Sequence, residues 1–239
     1  MNDSLISIII PVYNHARTLQ RCLKSIAGQT YRPLQVILIN DGSTDNFNDV
    51  VTQLSSEEWF KQLNTKIVQQ PNRGASAARN RGFKEANGDY LIFWDADVMA
   101  NPAMLAKLHQ ALITHPAASY AYSQMRLGWK KMKSQPFNAK DLQRYNYIDM
   151  ISLIRREDFS GFDESLKRFQ DWDLWLTLLE HGKIGTFIPE VLKQALVARP
   201  GMSAWRPRFL YRLPWKPRAV KAYEAARRII FAKHHLVSS

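Results

Sequence analysis

The feature that most constrains the fold is an alternation of apolar runs with helical patterns over the first half of the chain. Three runs are apolar along almost their whole length, which is typical of strands buried on both faces; they cover residues 5–12, 34–40 and 89–94, and a further strand is predicted over TKIVQQ (65–70). The segments between them have helical spacing or are rich in Ala, and a further helix is predicted over 102–114, capped by Asn101. Alternating strands and helices predict an α/β fold with a mostly parallel central sheet and helices on both faces.

Charge divides the chain into two parts. The net charge is +12, yet residues 1–198 contain 23 basic and 20 acidic side chains and are nearly balanced. Residues 199–239 contain ten Lys or Arg and a single acid, Glu224. We therefore expect a globular domain over 1–198 and a basic, amphipathic helical extension over 199–239.

The sequence also indicates a cellular setting. Cys22 is the only cysteine, which excludes an intramolecular disulfide and a thiolate metal cluster and fits a reducing, cytoplasmic compartment. No basic residues precede the first apolar run, which ends at Pro11, so it does not predict a signal peptide. The longest uncharged stretch, 108–125, contains two His, two Gln and a Pro, and we expect no membrane span there.

Polar side chains follow each of the four predicted strands where the strand ends. They are Tyr13 and Asn14, Asp41, Asn72 and Arg73, and Asp95 and Asp97. An Asp after a strand often only caps a turn. Because the carboxyl ends of parallel strands share one edge of a sheet, however, four such sets with acids and bases mixed indicate a ligand site at that edge.

Two observations limit the kind of ligand: glycine-rich nucleotide-binding motifs are absent, and an acidic pair is present. Neither a G-x-G-x-x-G turn after the first strand nor a G-x-x-x-x-G-K-[ST] loop is present, which argues against NAD on a glycine turn and ATP on a P-loop. Asp95 and Asp97, one residue apart at a strand end, suit a divalent cation that completes its shell with substrate phosphate oxygens. No His/Cys set has zinc spacing. We expect a metal that holds a diphosphate.

Five segments resemble those of the family 2 glycosyltransferases, which are inverting, nucleotide-sugar-dependent enzymes of the GT-A fold. They are PVYN (11–14), NDGSTD (40–45), NRGASAARNRG (72–82), GDYLIFWDADV (88–98) and GFDESLKRFQDWDLWL (161–176). The resemblance implies a Rossmann-like GT-A catalytic domain over 1–198. It also implies transfer of a sugar from a nucleotide sugar, for which we expect a UDP-sugar, to an acceptor hydroxyl.

The resemblance assigns roles to individual residues. Those expected along the nucleotide are Pro11, Val12, Tyr13, Asp41, Asn72, Gly74, Ala78, Arg79 and Asp95. Asp41 would accept a hydrogen bond from the base, and Asp95 would touch the ribose or the sugar. Asp97, with Asp95 beside it, would bind Mn²⁺ or Mg²⁺ at the diphosphate. Whether Arg73 or Arg79 contacts a phosphate stays open.

The resemblance also implies a catalytic base, Asp171. The family's Glu-Asp pair is here Gln170-Asp171, and Gln170 and Trp172 would lie on the acceptor side. Helix geometry favours Asp171 over Asp173, because two residues turn the helix by about 200° and only one of the two can face a cleft. Asp171 belongs to an apolar stripe, whereas Asp173 shares a polar face with Thr177 and Glu180.

The extension supports two interpretations. Aromatic and basic residues interleave over 205–218, and residues 219–237 have helical spacing, with Tyr223, Ala226, Ile230 and Val237 on one side. This pattern is typical of a peripheral anchor on an anionic membrane, which would suit a glycan or lipid-linked acceptor at the inner face of the plasma membrane in surface polysaccharide or lipopolysaccharide synthesis. It equally fits a helix packed on the body. Nucleic-acid binding fits the charge alone and is disfavoured by the sugar-transfer motifs.

Two other classes of function remain as alternatives. A nucleotidyltransferase acting on a sugar phosphate would also use an α/β nucleotide site with acidic metal ligands, but it would need a glycine-rich basic loop after the first strand, where the sequence reads PVYNHARTL. A non-catalytic basic binding module with a transferase-like body would not need the set Asp41, Asp95, Asp97 and Asp171.

Overall fold

The structure is a computed structural model that describes residues 4–196, 215 and 217–236. The strands of this part are β1 (Ile6–Val12), β2 (Leu34–Asp41), β3 (Lys66–Gln70), β4 (Tyr90–Phe93), β5 (Val98–Ala100), β6 (Ala118–Leu127), β7 (Lys130–Lys131), β8 (Leu153–Arg155) and β9 (Ile184–Ala195). The helices are α1 (Ala16–Ala27), α2 (Phe47–Ser55), α3 (Glu58–Gln62), α4 (Ala75–Glu85), α5 (Met104–Thr114), α6 (Ala139–Arg144), α7 (Gln170–Glu180) and α8 (Arg218–Lys233), with a 3-10 turn at Arg156–Asp158.

The strands form one mixed sheet in the order β3-β2-β1-β4-β8-β6-β9-β5, with β7 paired to β6. The four strands of the N-terminal half are parallel and in register; Ile9, for example, lies between Ile37 and Phe93. β8 then runs antiparallel to both β4 and β6, while β6 and β9 are parallel. The predicted α/β fold is confirmed, and its parallel part is the N-terminal half.

The central strand β1 is buried on both faces, as its continuous apolar run predicts. Ile6, Ile8 and Ile10 point to one face and pack in a core with α1 and α5, whereas Ile9 points to the other face and packs with α4 and α7. This split follows from the two-residue period of a strand, which sends successive side chains to opposite faces. All four isoleucines are fully buried.

Two predicted elements differ from the structure in their extent. The helix expected from residue 102 begins at Met104, because the Asn101 side chain accepts a hydrogen bond from the Ala103 amide at 2.9 Å and closes a turn before the helix. The apolar run 147–154 contributes only its last two residues to β8. Ahead of them, Asn146 and Asp149 each accept a hydrogen bond from the amide two residues later, and these turns interrupt the extended backbone.

The described part of the extension is a helix that packs on the body. Ile230 and Phe231 of α8 are buried in the same core as α7. His234 lies between Asp173 and Glu180, with both ring nitrogens 2.8 Å from a carboxylate oxygen. Asp173, expected on a polar face, is therefore buried under α8 and not in contact with solvent.

The aromatic and basic segment expected at 205–218 lies outside the described residues apart from Trp215, Pro217 and Arg218, and so does Val237. Among the helices of the described part, none has the length and hydropathy needed to cross a bilayer.

Candidate functional site

The loops after β1 and β2 are fastened to each other at the carboxyl edge of the sheet. Asn14, in the left-handed region at φ 56°, accepts hydrogen bonds through Oδ1 from the amides of Thr44 and Asp45. Asp45 in turn accepts a hydrogen bond from the Ala16 amide at 2.9 Å, at the start of α1. Tyr13, beside these contacts, is 46% exposed. The two loops therefore form one rigid wall with an exposed aromatic ring on it.

Asp41, at the end of β2, organises the entry to α4. Its Oδ1 accepts hydrogen bonds from the Gln70 side chain at 2.7 Å and from the Arg73 amide at 2.9 Å, and its Oδ2 accepts one from the Gly74 amide at 2.8 Å. Gly42 permits this approach, because a Cβ there would lie 2.7 Å from the Asn72 nitrogen. Asp41 is buried, while Asn72 and Gly74 are exposed on the loop that it holds.

Arg79, on α4, joins two of the expected site residues. Its guanidinium donates to Asp95 Oδ1 at 2.9 Å and to Gln170 Oε1 at 3.1 Å. The Arg79 side chain is 8% exposed, and its Nε is buried with no hydrogen-bond partner among the described residues. Arg73, by contrast, is 67% exposed and pairs with Glu164 at the rim. A buried fork therefore connects the end of β4 to the start of α7.

Asp95 and Asp97 follow β4 with carboxylates close enough to interact. Burial raises the pKa of Asp97, and the charge of Asp95 raises it further, while His15 opposes the shift. Part of this energetic cost would be relieved by a cation. Among the described residues no three His, Cys, Asp or Glu side chains form a ligand cluster. Two hard carboxylate ligands nevertheless fit a Mg²⁺-like or Mn²⁺-like ion that takes its other ligands from water and phosphate.

Asp171 lies at the start of α7 and is held by hydrogen bonds. Phe169 precedes the helix at φ 61°, and the Asn146 side chain donates to Asp171 Oδ2 at 2.7 Å. The Trp172 amide donates to Oδ1 at 2.9 Å. Burial raises the pKa of Asp171; these hydrogen bonds and the charge of Arg79 oppose the shift. A buried carboxylate with a raised pKa is suited to accept a proton.

A buried ion pair, not anticipated from the sequence, lies close to these acids. Lys193 of β9 is 2.8 Å from Asp149, and it also donates to the Ile151 carbonyl. The negative charges of Asp95 and Asp149 interact, and so do those of Asp149 and Asp171, so Asp149 lies near both of the other carboxylates. The signal in the sequence was a single acid inside an apolar run, YIDMISLI, and a single lysine in the segment VLKQAL (191–196), for which no element was predicted.

Three expected contact residues have side chains that do not reach the cleft. Val12 and Ala78 are fully buried in the cores on the two faces of the sheet. Trp172 is 2% exposed, and its indole donates to the Leu142 carbonyl at 2.7 Å. These side chains support β1, α4 and α7 from behind, because a residue next to a cleft-facing one points into the core. Pro11 is half-buried beside Val12 at the end of β1.

Comparison with known proteins gives one consistent result. Residues 7–167 match the model for "Glycosyl transferase family 2". An uncharacterised glycosyltransferase of Haemophilus influenzae is 38% identical over 191 residues, which are 77% of this chain and 75% of that protein. The matches span between 16% and 35% of the length of five other curated relatives.

Solved structures share the fold at lower identity. S. aureus TarS 1–349 in complex with UDP-GlcNAc superposes with a TM-score of 0.70 at 20% identity, covering 95% of this chain and 66% of that one. The mannosyltransferase PcManGT of Pyrobaculum calidifontis, in complex with GDP-Man and Mn²⁺, superposes with a TM-score of 0.68 at 20% identity, covering 96% and 70%.

Proposed function

The chain belongs to glycosyl transferase family 2, and on this premise we propose that it is an inverting glycosyltransferase, which moves a sugar from a nucleotide sugar to an acceptor hydroxyl. The observation that carries the proposal is the Arg79 fork, which links Asp95 at the end of β4 to Gln170 beside Asp171. It supports a single site because it links the end of β4 to the start of α7, and these two positions carry a candidate metal-binding acid and a candidate base that are 76 residues apart in the chain.

Asp171 is the base of the proposed reaction. It would take the proton of the acceptor hydroxyl as that oxygen attacks the anomeric carbon, and such a base contributes about 10²–10⁴-fold in rate. The Asn146 and Trp172 donors fix the orientation of its carboxylate. Burial among apolar side chains of α7 keeps water from competing for the same proton.

Asp97 and Asp95 would hold the cation, and a bound Mn²⁺ or Mg²⁺ would supply charge neutralisation for the departing nucleoside diphosphate. Arg79 contributes a fixed positive charge on the same side of the cleft. Of the two arginines left open by the sequence, we assign Arg79 to the diphosphate, because its unpartnered Nε is buried there while Arg73 is engaged with Glu164 at the rim.

The donor and acceptor are proposed as follows. We infer a UDP-sugar held along Pro11, Tyr13, Asp41 and the 72–74 loop, supported by the UDP-GlcNAc complex of TarS; the GDP-Man complex of PcManGT makes the base a point to test. The acceptor is a glycan or lipid-linked glycan of bacterial surface polysaccharide synthesis. The reaction would take place in the cytoplasm at the inner face of the membrane.

The proposal is tested by separating donor binding from transfer. A screen of UDP-, GDP- and other nucleotide sugars by thermal shift, with and without Mn²⁺, identifies the donor. With that donor, Asp171→Asn should bind as wild type and lose transfer, while Asp97→Asn should lose the Mn²⁺-dependent part of binding. Asp49→Asn, an exposed acid on α2, is the matched control and should do neither. Wild-type transfer rates in Asp171→Asn would refute the base.

A further inference from the structure

The turn between β6 and β7 presents an unusual surface, which we call the Trp129 hairpin (residues 126–133). Gly128 and Trp129 form its two-residue turn, with Gly128 at φ 57°. Trp129 is 93% exposed, and Met132 in the returning arm is 37% exposed. The Trp129 indole lies at the tip, and no described residue covers it. It therefore contributes nothing to the core, and its exposed apolar surface is a candidate for contact with a partner.

The hairpin carries a cluster of basic side chains. Arg126, Lys130, Lys131 and Lys133 lie within eight residues, and the chain has no acid from residue 98 to 140. Arg126 and Lys131 are directly opposite each other across the two strands, an arrangement in which like charges repel. In the part of the chain that the structure describes, Arg126, Lys131 and Lys133 have no carboxylate within ion-pair distance. The fold therefore keeps a repulsive pair that an anionic partner would relieve.

The hairpin has one face toward the protein and one away from it. Met125 and Leu127 pack against the core on one side. Because side chains alternate along a strand, Arg126 and its opposite neighbour Lys131 point away from that core. A protruding tip with an exposed indole and outward cations is the arrangement that binds a lipid headgroup region, where Trp prefers to lie and anionic lipids attract Lys and Arg.

The position of the hairpin relates it to the candidate site. The Gly128 amide donates to the Ala195 carbonyl at 3.2 Å, and the amide of Leu196, the residue after β9, donates to the Asp97 carbonyl at 2.9 Å. On its other side the chain continues through Gln135, which accepts a hydrogen bond from Tyr145, to Asn146 and its contact with Asp171. Hydrogen bonds therefore connect both sides of the hairpin to the segments that carry Asp97 and Asp171.

We propose that the Trp129 hairpin binds the surface of an anionic lipid bilayer and so turns the cleft toward a lipid-linked acceptor; the second half of this statement rests on the proposed function. A lipid surface fits better than a nucleic acid, because one isolated indole offers no series of stacking platforms. It fits better than a protein groove, because the exposed indole lies at the end of a hairpin and the cations Arg126 and Lys131 point away from the core.

The test is vesicle co-sedimentation of the full chain with no donor or acceptor present. Vesicles containing phosphatidylglycerol are compared with pure phosphatidylcholine. Wild type should bind the anionic vesicles, and Arg126→Gln with Lys131→Gln should weaken binding about 25-fold, at about fivefold per cation removed. Trp129→Ala should weaken it by at least about tenfold through lost apolar burial. Lys61→Gln with Lys84→Gln, exposed elsewhere and equal in charge change, should not.

Each outcome decides the proposal. The hairpin proposal is wrong if wild type does not bind anionic vesicles. It is also wrong if the hairpin variants bind as tightly as wild type, because the extension would then account for all of the binding. Retention on a soluble anionic polysaccharide without vesicle binding would assign the surface to a glycan and overturn it as well. Donor hydrolysis in solution should be unchanged in all hairpin variants. A wild-type chain that binds vesicles but transfers no sugar would refute the proposed function and leave the hairpin assignment intact.

Discussion

Replacing Asn146 with Ala should move the pH at which the enzyme loses activity. In the structure Asn146 Nδ2 donates to Asp171 Oδ2 at 2.7 Å, and this hydrogen bond favours the charged carboxylate that must accept a proton. Without it, burial is opposed only by the Trp172 amide and Arg79, so the pKa of Asp171 rises further above its ordinary value. The base works only when it is deprotonated. When the solution is acidified, we therefore expect Asn146→Ala to lose activity at a higher pH than wild type does.

The size of the effect follows from the type of hydrogen bond. A hydrogen bond to a charged group contributes about 1.5–3 kcal/mol. At about 1.4 kcal/mol per factor of ten, the deprotonated fraction of Asp171 in acidic solution falls roughly 10- to 100-fold. The assay is turnover at saturating donor as a function of pH. In Asn146→Ala the rate on the acidic side should fall by that factor, while the plateau at higher pH is retained.

A matched control separates this effect from damage to the fold. Asn138 accepts a hydrogen bond from the Asp141 amide at 3.0 Å and caps α6, in the same segment but away from Asp171. Asn138→Ala should cost about 1 kcal/mol of stability and leave the pH profile in place. If Asn146→Ala and wild type lost activity at the same acidic pH, the role assigned to Asn146 would be refuted, whatever the change in melting temperature.

Three further predictions concern stability. Gly82→Ala puts a Cβ 2.3 Å from a side-chain carbon of β1 and should destabilise by about 1–3 kcal/mol in urea unfolding, whereas Lys84→Ala on the exposed face of α4 should change little. Burial works against the charged form of His234, yet its two carboxylate partners raise its pKa above the ordinary value. The stability that His234 contributes should therefore be complete below about pH 6.5 and be lost as the pH rises through the raised pKa. His234→Gln should lack this dependence of the melting temperature on pH. Lys193→Met should cost about 3–5 kcal/mol, and adding Asp149→Leu should recover most of it.

The sequence predicts the N-terminal half of the fold well because three of its four strands, β1, β2 and β4, are buried on both faces. Such strands are continuous apolar runs, and the structure places β1 to β4 within one or two residues of the predicted ranges. The second half could not be read in this way. β9 contains buried, half-buried and exposed residues in no regular order, and its register with β6 shifts at three places, so no two-residue period persists along it.

The direction of a site side chain could be predicted where it follows from the local helix or strand geometry. It could not be predicted where it depends on contacts between residues far apart in the chain. The rotation of α7 correctly predicts that Asp171 and Asp173 point in different directions. Asp171 bonds Asn146, whereas Asp173 bonds His234. That Asp173 is buried depends on α8, which arrives from 61 residues further along the chain and places His234 against it. Likewise, the partners Asp149 and Lys193 are 44 residues apart, and no spacing rule connects them.

The ion pairs of the candidate site divide its acids into two groups. Asp95 has Arg79 and Asp149 has Lys193, so both carboxylates have a cationic partner. Within the described residues Asp97 has no Lys or Arg at ion-pair distance, and neither has Asp171, although burial raises the pKa of both. Their surroundings differ, because a second carboxylate stands next to Asp97 whereas only neutral donors bond Asp171. The first environment favours binding a cation and the second favours accepting a proton, so the division of labour in the proposed reaction follows from which charges the fold leaves unpaired.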